Sequence, residues 1–587
     1  MCGIHFWIEP KCNILRPSAI KLSNLLRHRG PDQSKTVALN NNTTSAVLSH
    51  ERLAIVSPQT GEQPITCTDR SAWVIANAEI YNHKNIRDSI HDYNFLTDSD
   101  CEVILALYLT QYRESPELLC NALDGVFSFV IYDLEFDRIM IGRDAFGVMP
   151  MYYGLTNTGG ICIASELKAL ANNTECQTYN EFPPGHCKLL EIQDDHPLGI
   201  PLSKTFKSGL CPIPWHLPKW KTDYNNIPDG LLVVEDLASN LTEAVYKRLN
   251  IDVPWCVLLS GGLDSSIIAK LTSSYAIRSG DGSHVNPIHS FSIGLEGSPD
   301  LEAARIAALD IGTIHHELIY TIQEGIDALP DVIEKLETFD VTTIRAGTPM
   351  YLLARYIKSF GFKVVLSGEG ADELFGGYLY FHKCPSNEEF HAETIRKVSD
   401  LNKYDCLRAN KSMSAWGVES RVPFLDKDFV DYVMNINPSY KRCGRLDEGY
   451  RIEKWALRKS FEGIICDKII WRQKEQFSDG VGYGWIDGLK EYADIYISDE
   501  DMQISKKIVN PPRTKEELLY RKIFNNKFPK DEMVQLVPYV DSVACSSGSA
   551  ITWDENFKLL AIQSGGECSG RAVCGVHYSD YNIGKDI

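Results

Sequence analysis

The second residue of the chain, Cys2, combines two groups that do chemistry together once Met1 is removed, a thiol and a free α-amine. The thiolate is a strong nucleophile, and the adjacent amine can take its proton. The ordinary pKa of that amine, about 7.7–8.0, suits a base that works near neutrality. A small residue such as Cys2 permits removal of Met1, so we expect the mature protein to begin there. Taken alone, the pattern is also typical of a frayed chain end.

A glycine-rich loop lies between an apolar run, 256–259, and a helix-forming run, 267–270. This order predicts a phosphate site, because glycine amides and a helix N-terminus both attract anions. The aspartate of the loop suits such a site if it holds Mg²⁺. No lysine follows the glycines, which excludes the Walker motif, and a capped helix after a tight turn is the alternative. The residues predicted to line this site are Ser260, Gly261, Gly262, Asp264, Ser265 and Ser266.

A second loop, 367–378, also follows an apolar run and carries three carboxylates among glycines. Ligands of open α/β sheets sit at the carboxyl ends of strands, so this loop can face the first. We expect Asp372 to share Mg²⁺ with Asp264, and Glu369 to take a proton from an attacking nucleophile. An acidic helix N-terminus would explain Asp372 but not the glycines. Further along, Lys474 is a candidate for neutralising pyrophosphate, with an ordinary surface lysine as the alternative.

The two parts of the chain that contain these motifs differ in their patterns of apolar and turn residues. The first part of the chain has short β-type runs broken by turn residues and predicts a β-rich α+β region, whereas the second alternates apolar runs with helical periods and predicts a parallel sheet. The predicted strands are 71–76, 126–132, 256–259, 290–295 and 363–366, and the predicted helices include 18–27, 100–111 and 234–249. The predicted boundaries are a first domain at 2–192, a proline-rich linker at 193–230, a second domain at 231–545 and a loosely packed extension at 546–587.

The composition is that of an ordinary globular protein, 44% hydrophobic and 23% charged over 587 residues, a length that predicts two or more domains. A net charge of −19 argues against nucleic acid as a partner. No apolar run approaches the roughly 20 residues that span a bilayer, and the N-terminus lacks a signal-peptide pattern. The 17 cysteines are scattered without a CxxC pair, which favours reduced thiols in the cytoplasm.

The motif SGGLDSS resembles the pyrophosphate loop of N-type ATP pyrophosphatases. The chain as a whole, from Cys2 to about residue 545, resembles the glutamine-hydrolysing asparagine synthetases. Its matching stretches include RHRGPD at 27–32 and WGVESRVPFLD at 416–426, and 568–577 looks like the tail of eukaryotic-type members. The resemblance implies an α+β N-terminal-nucleophile (Ntn) glutaminase sandwich joined to an α/β parallel-sheet ATP pyrophosphatase domain that is adenine nucleotide α-hydrolase-like. It also favours a homodimer.

For the glutaminase, the resemblance implies that Cys2 attacks the side-chain amide of glutamine. Arg52 would hold the α-carboxylate of glutamine and Asp100 its α-ammonium. The family's oxyanion motif Asn-Gly-Glu reads Asn77-Ala78-Glu79 here, and the extra methyl is costly if φ at Ala78 is positive. The implied glutamine-binding residues are Arg52, Ile55, Val56, Asn77, Ala78, Glu79 and Asp100, of which Asn77 and Ala78 also act in catalysis.

For the synthetase, the resemblance implies that aspartate attacks the α-phosphorus of ATP, giving β-aspartyl-AMP and pyrophosphate. Ammonia released by Cys2 would pass inside the protein and displace AMP, with Glu369 as the base and Mg²⁺ as the cofactor. A loop containing Thr342, Thr343 and Arg345 is implicated in binding aspartate and the intermediate. The further ATP contacts implied are Leu258, Ile293, Ser367, Gly368 and Lys474.

Two rival interpretations remain open at this point. A β-lactam synthetase-like relative would use the same adenylation to close a ring, but such relatives typically lack a working glutaminase. A degenerate, non-catalytic relative would act as a binding or regulatory protein, and only Ala78 points to it. The expected partners are therefore L-glutamine, L-aspartate and ATP, with no nucleic acid and no membrane.

Overall fold

The computed structural model describes residues 1–10, 16–40, 44–192, 210–223, 226–279, 287–447, 449–564, 573 and 575–576. The chain divides into two compact units. Unit 1 comprises Met1–Leu217, Asn250–Val253 and Met413–Glu419, and unit 2 comprises Pro218–Leu249, Pro254–Ser412 and Ser420–Ile587. The predicted linker at 193–230 and the predicted extension at 546–587 lie partly outside the described residues. Within the described ranges, no helix is long and apolar enough to cross a membrane.

Unit 1 contains two antiparallel sheets. Their strands are β1 (Gly3–Pro10), β2 (Gln33–Asn40), β3 (Thr44–Arg52), β4 (Ile65–Thr66), β5 (Ala72–Ile80), β6 (Gly125–Asp133), β7 (Arg138–Arg143), β8 (Tyr152–Leu155), β9 (Ile161–Ala164), β10 (Asn180–Glu181), β11 (His186–Glu191) and β12 (Ile213–Pro214). One sheet has the order β10-β8-β9-β1-β3-β2 and the other the order β12-β11-β7-β6-β5-β4. The helices of this part of the chain are α1 (Arg16–Asn24), α2 (His83–Ser89), α3 (Glu102–Thr110), α4 (Pro116–Ala122) and α5 (Leu167–Ala171).

The two sheets of unit 1 share one hydrophobic core. Alternate residues of a strand point to one face, so Ile4, Phe6 and Ile8 of β1 enter the same core as Val130 and Tyr132 of β6. The predicted α+β sandwich is confirmed, and the predicted helices near 18–27 and 100–111 are present with shifted ends. This packing brings the start of β1, the middle of β5 and the end of β3 to one edge of the unit, where the candidate nucleophile lies.

Unit 2 is built on the predicted parallel sheet. Its strands are β13 (Trp255–Leu258), β14 (His289–Gly294), β15 (Ile314–Ile319), β16 (Val364–Leu366) and β17 (Glu419–Arg421), in the order β15-β14-β13-β16-β17. The pairs β13–β14, β13–β16 and β14–β15 are parallel. Val257, Phe291 and Val365 are fully buried, as strands covered on both faces require. A separate hairpin pairs β18 (Gly444–Leu446) with β19 (Gly449–Arg451).

Helices make up most of the rest of this part of the chain. They are α6 (Lys219–Thr222), α7 (Val234–Tyr246), α8 (Leu263–Ser279), α9 (Pro299–Ile311), α10 (Ile322–Leu336), α11 (Val341–Ser359), α12 (Ala371–Phe375), α13 (Asn387–Ser399), α14 (Asp405–Ser414), α15 (Lys427–Met434), α16 (Trp455–Ser460), α17 (Asp467–Ile470), α18 (Phe477–Gly480), α19 (Gly484–Tyr496), α20 (Asp499–Ser505), α21 (Lys515–Asn525), α22 (Asp531–Val534) and α23 (Glu555–Ser564).

The start of the predicted extension is well packed, which corrects the expectation of a loose tail. Val543, Ala550 and Phe557 are buried in one cluster with Tyr380 and Phe390. The sequence has few periodic apolar residues here, but Ala550, Ile551 and Phe557 enter this core, whereas Leu559 is exposed. The described part of the tail therefore belongs to unit 2.

Candidate active sites

Cys2 lies at the start of β1, and its backbone is fixed by hydrogen bonds. Its backbone N–H donates to Oδ1 of Asn77 at 2.7 Å, and its carbonyl accepts from Nε of Arg29 at 2.9 Å. The backbone N–H of Leu53 donates to Sγ of Cys2 at 3.4 Å. An N–H that points at the sulfur stabilises a thiolate there. The thiol is thus held in one place and provided with a donor.

The charges around Cys2 act in opposite directions. Burial raises the pKa of the Cys2 thiol, while the positive N-terminus and the Leu53 hydrogen bond oppose that rise. In the unprocessed chain, the Met1 α-amine lies 2.5 Å from Oε2 of buried Glu419. Removing Met1 places the free α-amine on Cys2 itself, and in its neutral form this amine is the predicted acceptor of the thiol proton.

Asn77 and Ala78 lie side by side on β5, opposite Ser128 and Phe127 of β6. Asn77 is fully buried, and its Oδ1 accepts from the backbone N–H of Cys2, so its side-chain amide lies beside the candidate nucleophile. Among the described residues, this nitrogen has no hydrogen-bond partner. A buried donor without a partner is costly unless a ligand supplies the acceptor. The predicted oxyanion hole requires such a donor beside the candidate nucleophile, and this role of Asn77 stays a prediction.

The concern about the methyl group of Ala78 is removed by its backbone. Ala78 lies within a regular strand, and the described non-glycine residues with positive φ do not include it. Any residue adopts an extended conformation, so the alanine costs nothing there. The one feature that favoured a non-catalytic relative therefore has no structural basis.

We accordingly expect Ala78→Gly to leave glutaminase kcat/KM within about threefold of the wild-type value. This is a change in activation free energy well under the roughly 1.4 kcal/mol of a tenfold effect. The substitution relieves no strain, and glycine in a strand costs only about 0.5–1 kcal/mol of stability. Steady-state glutaminase assays on both proteins provide the measurement. A gain of tenfold or more in kcat/KM, which is a barrier lower by roughly 1.4 kcal/mol, would show that the methyl does displace the oxyanion donor.

Arg52 and Asp100, the predicted contacts to the α-groups of glutamine, are both buried at this edge. The Arg52 guanidinium donates to Oε1 of Gln33 and to the carbonyl of Ser57, each at 2.8 Å. Asp100 accepts from the backbone N–H of Ile80 at 2.9 Å. Ile55 and Glu79 are also buried, and Val56 is half-buried, at the ends of β3 and β5. Glutamine binding by these residues stays a prediction.

Arg29 and Glu166 support the nucleophile, and sequence analysis did not single them out. Arg29 bonds Glu166 at 2.7 Å in addition to the Cys2 carbonyl, and both side chains are completely buried. Burial alone would raise the pKa of Glu166, but Lys168, His28 and Arg29 hold it well below its usual range. Arg29 lies in the stretch RHRGPD that carried part of the resemblance, which is the only signal the sequence offered.

The glycine loop of unit 2 joins β13 to α8, as the sequence predicts. Gly261 has φ of 71°, and a Cβ there would lie 2.2 Å from the carbonyl carbon of Ala303, so only glycine is accepted. A Cβ on Gly368 would lie 2.9 Å from the Asp264 backbone. The two loops predicted to face each other therefore meet where Gly368 packs against Asp264.

These loops border a cavity of about 940 Å³ within unit 2, which is the size of a nucleotide site. Gly261 and Ser266 do not line it, and the Ser266 hydroxyl donates to the carbonyl of Gly262 at 2.8 Å instead. The predicted residues that do line it are Leu258, Ser260, Gly262, Asp264, Ser265, Ile293, Thr342, Thr343, Arg345, Ser367, Gly368, Glu369, Asp372 and Lys474.

Asp264 and Asp372, the predicted Mg²⁺ ligands, lie on either side of a third residue, Lys454. Its ammonium group lies 2.5 Å from Oδ2 of Asp264 and 2.6 Å from Oδ1 of Asp372. Lys474 lies 2.7 Å from the other oxygen of Asp372. Burial alone would raise the pKa of Asp372, but these two lysines hold it well below its usual range.

The two aspartates are chemically suited to Mg²⁺. Among the described residues, Oδ1 of Asp264 is buried without a hydrogen-bond partner. Mg²⁺ is commonly held by one or two carboxylates together with substrate phosphates, which agrees with two aspartates at the rim of the cavity. No group of three or more metal-type side chains occurs within the described ranges, so the phosphates would have to complete the ligand set.

Glu369, the predicted base, lies on the wall of the cavity against Arg408. The Arg408 guanidinium contacts the Glu369 carboxylate and lies 2.8 Å from Oδ1 of Asp405. Burial raises the pKa of Glu369, an effect that Arg408 opposes and the neighbouring Asp405 and Asp372 reinforce. A carboxylate with a raised pKa is a stronger base. Arg408 is a cavity residue that no motif in the sequence indicates.

Thr342, Thr343 and Arg345 lie in the first turns of α11 rather than in a loop. Asp340 caps this helix by accepting from the Thr343 backbone at 2.8 Å. Arg345 is buried and forms a bidentate pair with Glu516 of α21, at 2.9 and 2.6 Å. Its proposed contact with aspartate stays a prediction and would require this pair to rearrange.

Because the pair of Arg345 and Glu516 is buried, we expect Glu516→Gln to lower the free energy of unfolding by about 3–5 kcal/mol, the usual cost of breaking a buried ion pair. The exposed pair of Glu334 and Lys527, at 2.8 Å, provides the matched control. Glu334→Gln should cost no more than about 1 kcal/mol. Denaturant titration of both variants gives the comparison, and equal losses would contradict the structural role of Arg345.

Comparison with known proteins relates both units to one family. The family model "Asparagine synthase" matches residues 236–389 and 383–547, and the model "Glutamine amidotransferase domain" matches residues 1–183. The chain is 47% identical over 591 residues to asparagine synthetase B (glutamine-hydrolyzing) of Escherichia coli strain K12, with 99% of this chain and 100% of the relative covered. It is 47% identical over 591 residues to asparagine synthetase (glutamine-hydrolyzing) 2 of Lotus japonicus, with 99% and 95% covered.

Proposed function

The chain belongs to the glutamine-hydrolysing asparagine synthetases, and from this premise we propose that it makes L-asparagine from L-aspartate, L-glutamine and ATP. The observation that carries the proposal is the match of both family models on a single chain. A glutaminase produces ammonia, and a nucleotide-dependent synthetase on the same chain consumes it. The products are asparagine, glutamate, AMP and pyrophosphate.

In the glutaminase half-reaction, the Cys2 thiolate attacks the side-chain carbonyl carbon of glutamine and ammonia leaves, which gives a glutamyl thioester on Cys2. Water then hydrolyses the thioester, releasing glutamate and the free thiol. The proton passes through the α-amine of Cys2. Nδ2 of Asn77 and the backbone N–H of Ala78 stabilise the developing oxyanion. The position of Asn77 beside Cys2 and its buried amide nitrogen support this assignment.

The role of the α-amine requires that Met1 be removed, because an amide nitrogen cannot take a proton. We expect intact-mass spectrometry of the active enzyme to give the mass of a chain that begins at Cys2. Fully active material that retains Met1 would contradict the role of the α-amine.

In the synthetase half-reaction, the β-carboxylate of aspartate attacks the α-phosphorus of ATP and pyrophosphate leaves. Ammonia then attacks the acyl carbon of the resulting β-aspartyl-AMP, AMP leaves, and Glu369 takes the proton from the nitrogen. Lys474 neutralises the departing pyrophosphate. Asp264 and Asp372 would hold Mg²⁺, which supplies positive charge to the phosphates when bound. Their position at the rim of the cavity supports these roles.

Product analysis with aspartate, ATP, Mg²⁺ and glutamine tests the proposal. Equal amounts of asparagine, glutamate, AMP and pyrophosphate are expected, and aspartate should be required for exchange of pyrophosphate into ATP. A β-lactam synthetase-like enzyme would show no dependence on glutamine or aspartate, and a non-catalytic relative would show no exchange. Formation of ADP in place of AMP would contradict the proposed chemistry.

Two further properties are part of the proposal. The family resemblance supports a homodimer, which light scattering of the purified protein would test. The scattered cysteines, of which those in the described residues form no disulfide, support a cytoplasmic location.

A further inference from the structure

The ammonium group of Lys454 lies between the two carboxylates assigned to Mg²⁺, 2.5 Å from Asp264 and 2.6 Å from Asp372. The side chain is only 1% exposed. Sequence analysis gave no reason to select it, because it lies 190 residues from Asp264 along the chain.

The backbone at Lys454 is held in a costly conformation. Its φ and ψ are 57° and 28°, a left-handed geometry that a residue with a side chain rarely adopts. Gly377 leaves room for the side chain, since a Cβ there would lie 2.0 Å from Cε of Lys454. Strain of this kind persists when the surrounding structure requires it. Both features place the ammonium group between the aspartates.

The lysine and a metal ion compete for the same oxygens. Mg²⁺ binds carboxylate oxygens at about 2.0–2.1 Å, and the Lys454 nitrogen already lies 2.5 and 2.6 Å from one oxygen of each aspartate. Oδ1 of Asp264 has no hydrogen-bond partner among the described residues, but both oxygens of Asp372 contact lysines, Oδ1 with Lys454 and Oδ2 with Lys474. An ammonium group must therefore move before the ion can bind both carboxylates, and movement of Lys454 frees one oxygen of each aspartate.

The local charges decide when that exchange is favourable. The carboxylates of Asp264 and Asp372 are balanced by the ammonium groups of Lys454 and Lys474. A free divalent cation would add two positive charges and displace the Lys454 ammonium group from its carboxylates within a buried site, which is unfavourable. The nucleotide complex of the same ion brings phosphate oxygens that can accept the displaced ammonium group.

We propose that Lys454 blocks the metal site of the free enzyme and moves to the nucleotide phosphates when the metal arrives with ATP, so that the ion binds only as its nucleotide complex. Lys454 is thus a positioning residue that orders the binding of substrate and metal. The inference rests on the proposed function, because it takes Asp264 and Asp372 as the metal ligands of an ATP site.

Titration of the full-length protein with Mn²⁺, followed by electron paramagnetic resonance, tests the inference. Without nucleotide, the wild-type protein should bind no stoichiometric Mn²⁺. After α,β-methylene-ATP is added, it should bind Mn²⁺ stoichiometrically. Lys454→Met should bind Mn²⁺ without nucleotide at least about tenfold more tightly than the wild type. Lys515→Met is the matched control, because it removes another lysine from the lining of the same cavity. The Lys515 ammonium group lies 3.0 Å from Asp499 and contacts neither metal aspartate.

Lys454→Gln, which keeps a hydrogen-bond donor, serves if the methionine variant does not fold. Tight binding of Mn²⁺ to the nucleotide-free wild type would overturn the inference, as would unchanged Mn²⁺ affinity in a folded Lys454 variant. Aspartate-dependent exchange of pyrophosphate into ATP, measured on the same wild-type preparation, tests the proposed function separately. Loss of that exchange with the expected Mn²⁺ results would refute the function and leave the order of binding intact.

Discussion

Cys2→Ala is expected to lower glutamine-dependent asparagine formation by more than about 10⁴-fold, as loss of a catalytic nucleophile does. Cys2 is the thiol that is hydrogen-bonded to Leu53 and placed beside the buried amide of Asn77. Ammonia-dependent synthesis should stay within about twofold, because added ammonia bypasses the step that the thiol performs. Steady-state rates with the two nitrogen sources give the comparison.

Cys101→Ala is the matched control for this experiment. The Cys101 thiol is buried 3.8 Å from the carbonyl of Ala78, close to the same site. Burial raises its pKa well above the usual value, so it stays protonated and unreactive. Glutamine-dependent activity should survive this substitution. Loss of both activities in folded Cys2→Ala would contradict the separation of the two half-reactions.

Glu369→Gln should reduce ammonia-dependent asparagine formation by roughly 10²–10⁴-fold, the usual loss when general acid–base help is removed. The substitution keeps the shape of the side chain and removes the base that faces the cavity beside Arg408. Glutaminase activity should be retained, because Cys2 performs that reaction. Asparagine formation at the wild-type rate would mean that another group takes the proton.

Glu373→Gln provides a matched control in the same loop. Glu373 bonds the Tyr378 hydroxyl, and burial together with Asp405 and Asp372 raises its pKa well above the usual value. The neutral acid is therefore favoured, and glutamine imitates it. We expect this variant to retain most of the ammonia-dependent activity.

The pH dependence gives a second readout for Glu369. A carboxylate acts as a base only when it is ionised, and burial raises the pKa of Glu369. At a constant concentration of free ammonia, the wild-type rate should therefore fall as the pH is lowered. The midpoint of this fall should lie at a higher pH than the midpoint for a base with the ordinary pKa of glutamate. The glutamine variant should lose this limb of the profile.

Much of the architecture follows from local patterns. Short β-type runs between turn residues indicated strands β5 and β6, and short apolar runs indicated the parallel strands β13, β14 and β16. The loop with Gly261 was recognisable because turn geometry and close approach to the backbone of α9 both restrict the residue type. The tail was misjudged because a few apolar residues without a period can still fill a core formed by distant elements.

The sequence by itself determined the chemistry available to this protein: an N-terminal thiol, a glycine-rich anion loop and a second loop of carboxylates. Only the tertiary structure decided which charges meet. Lys454 lies between Asp264 and Asp372, Arg408 contacts Glu369, and Glu516 neutralises Arg345. The physical reason is that periodicity and turn chemistry act between near neighbours, whereas a buried ion pair forms between side chains that only the packed fold brings within a few ångströms.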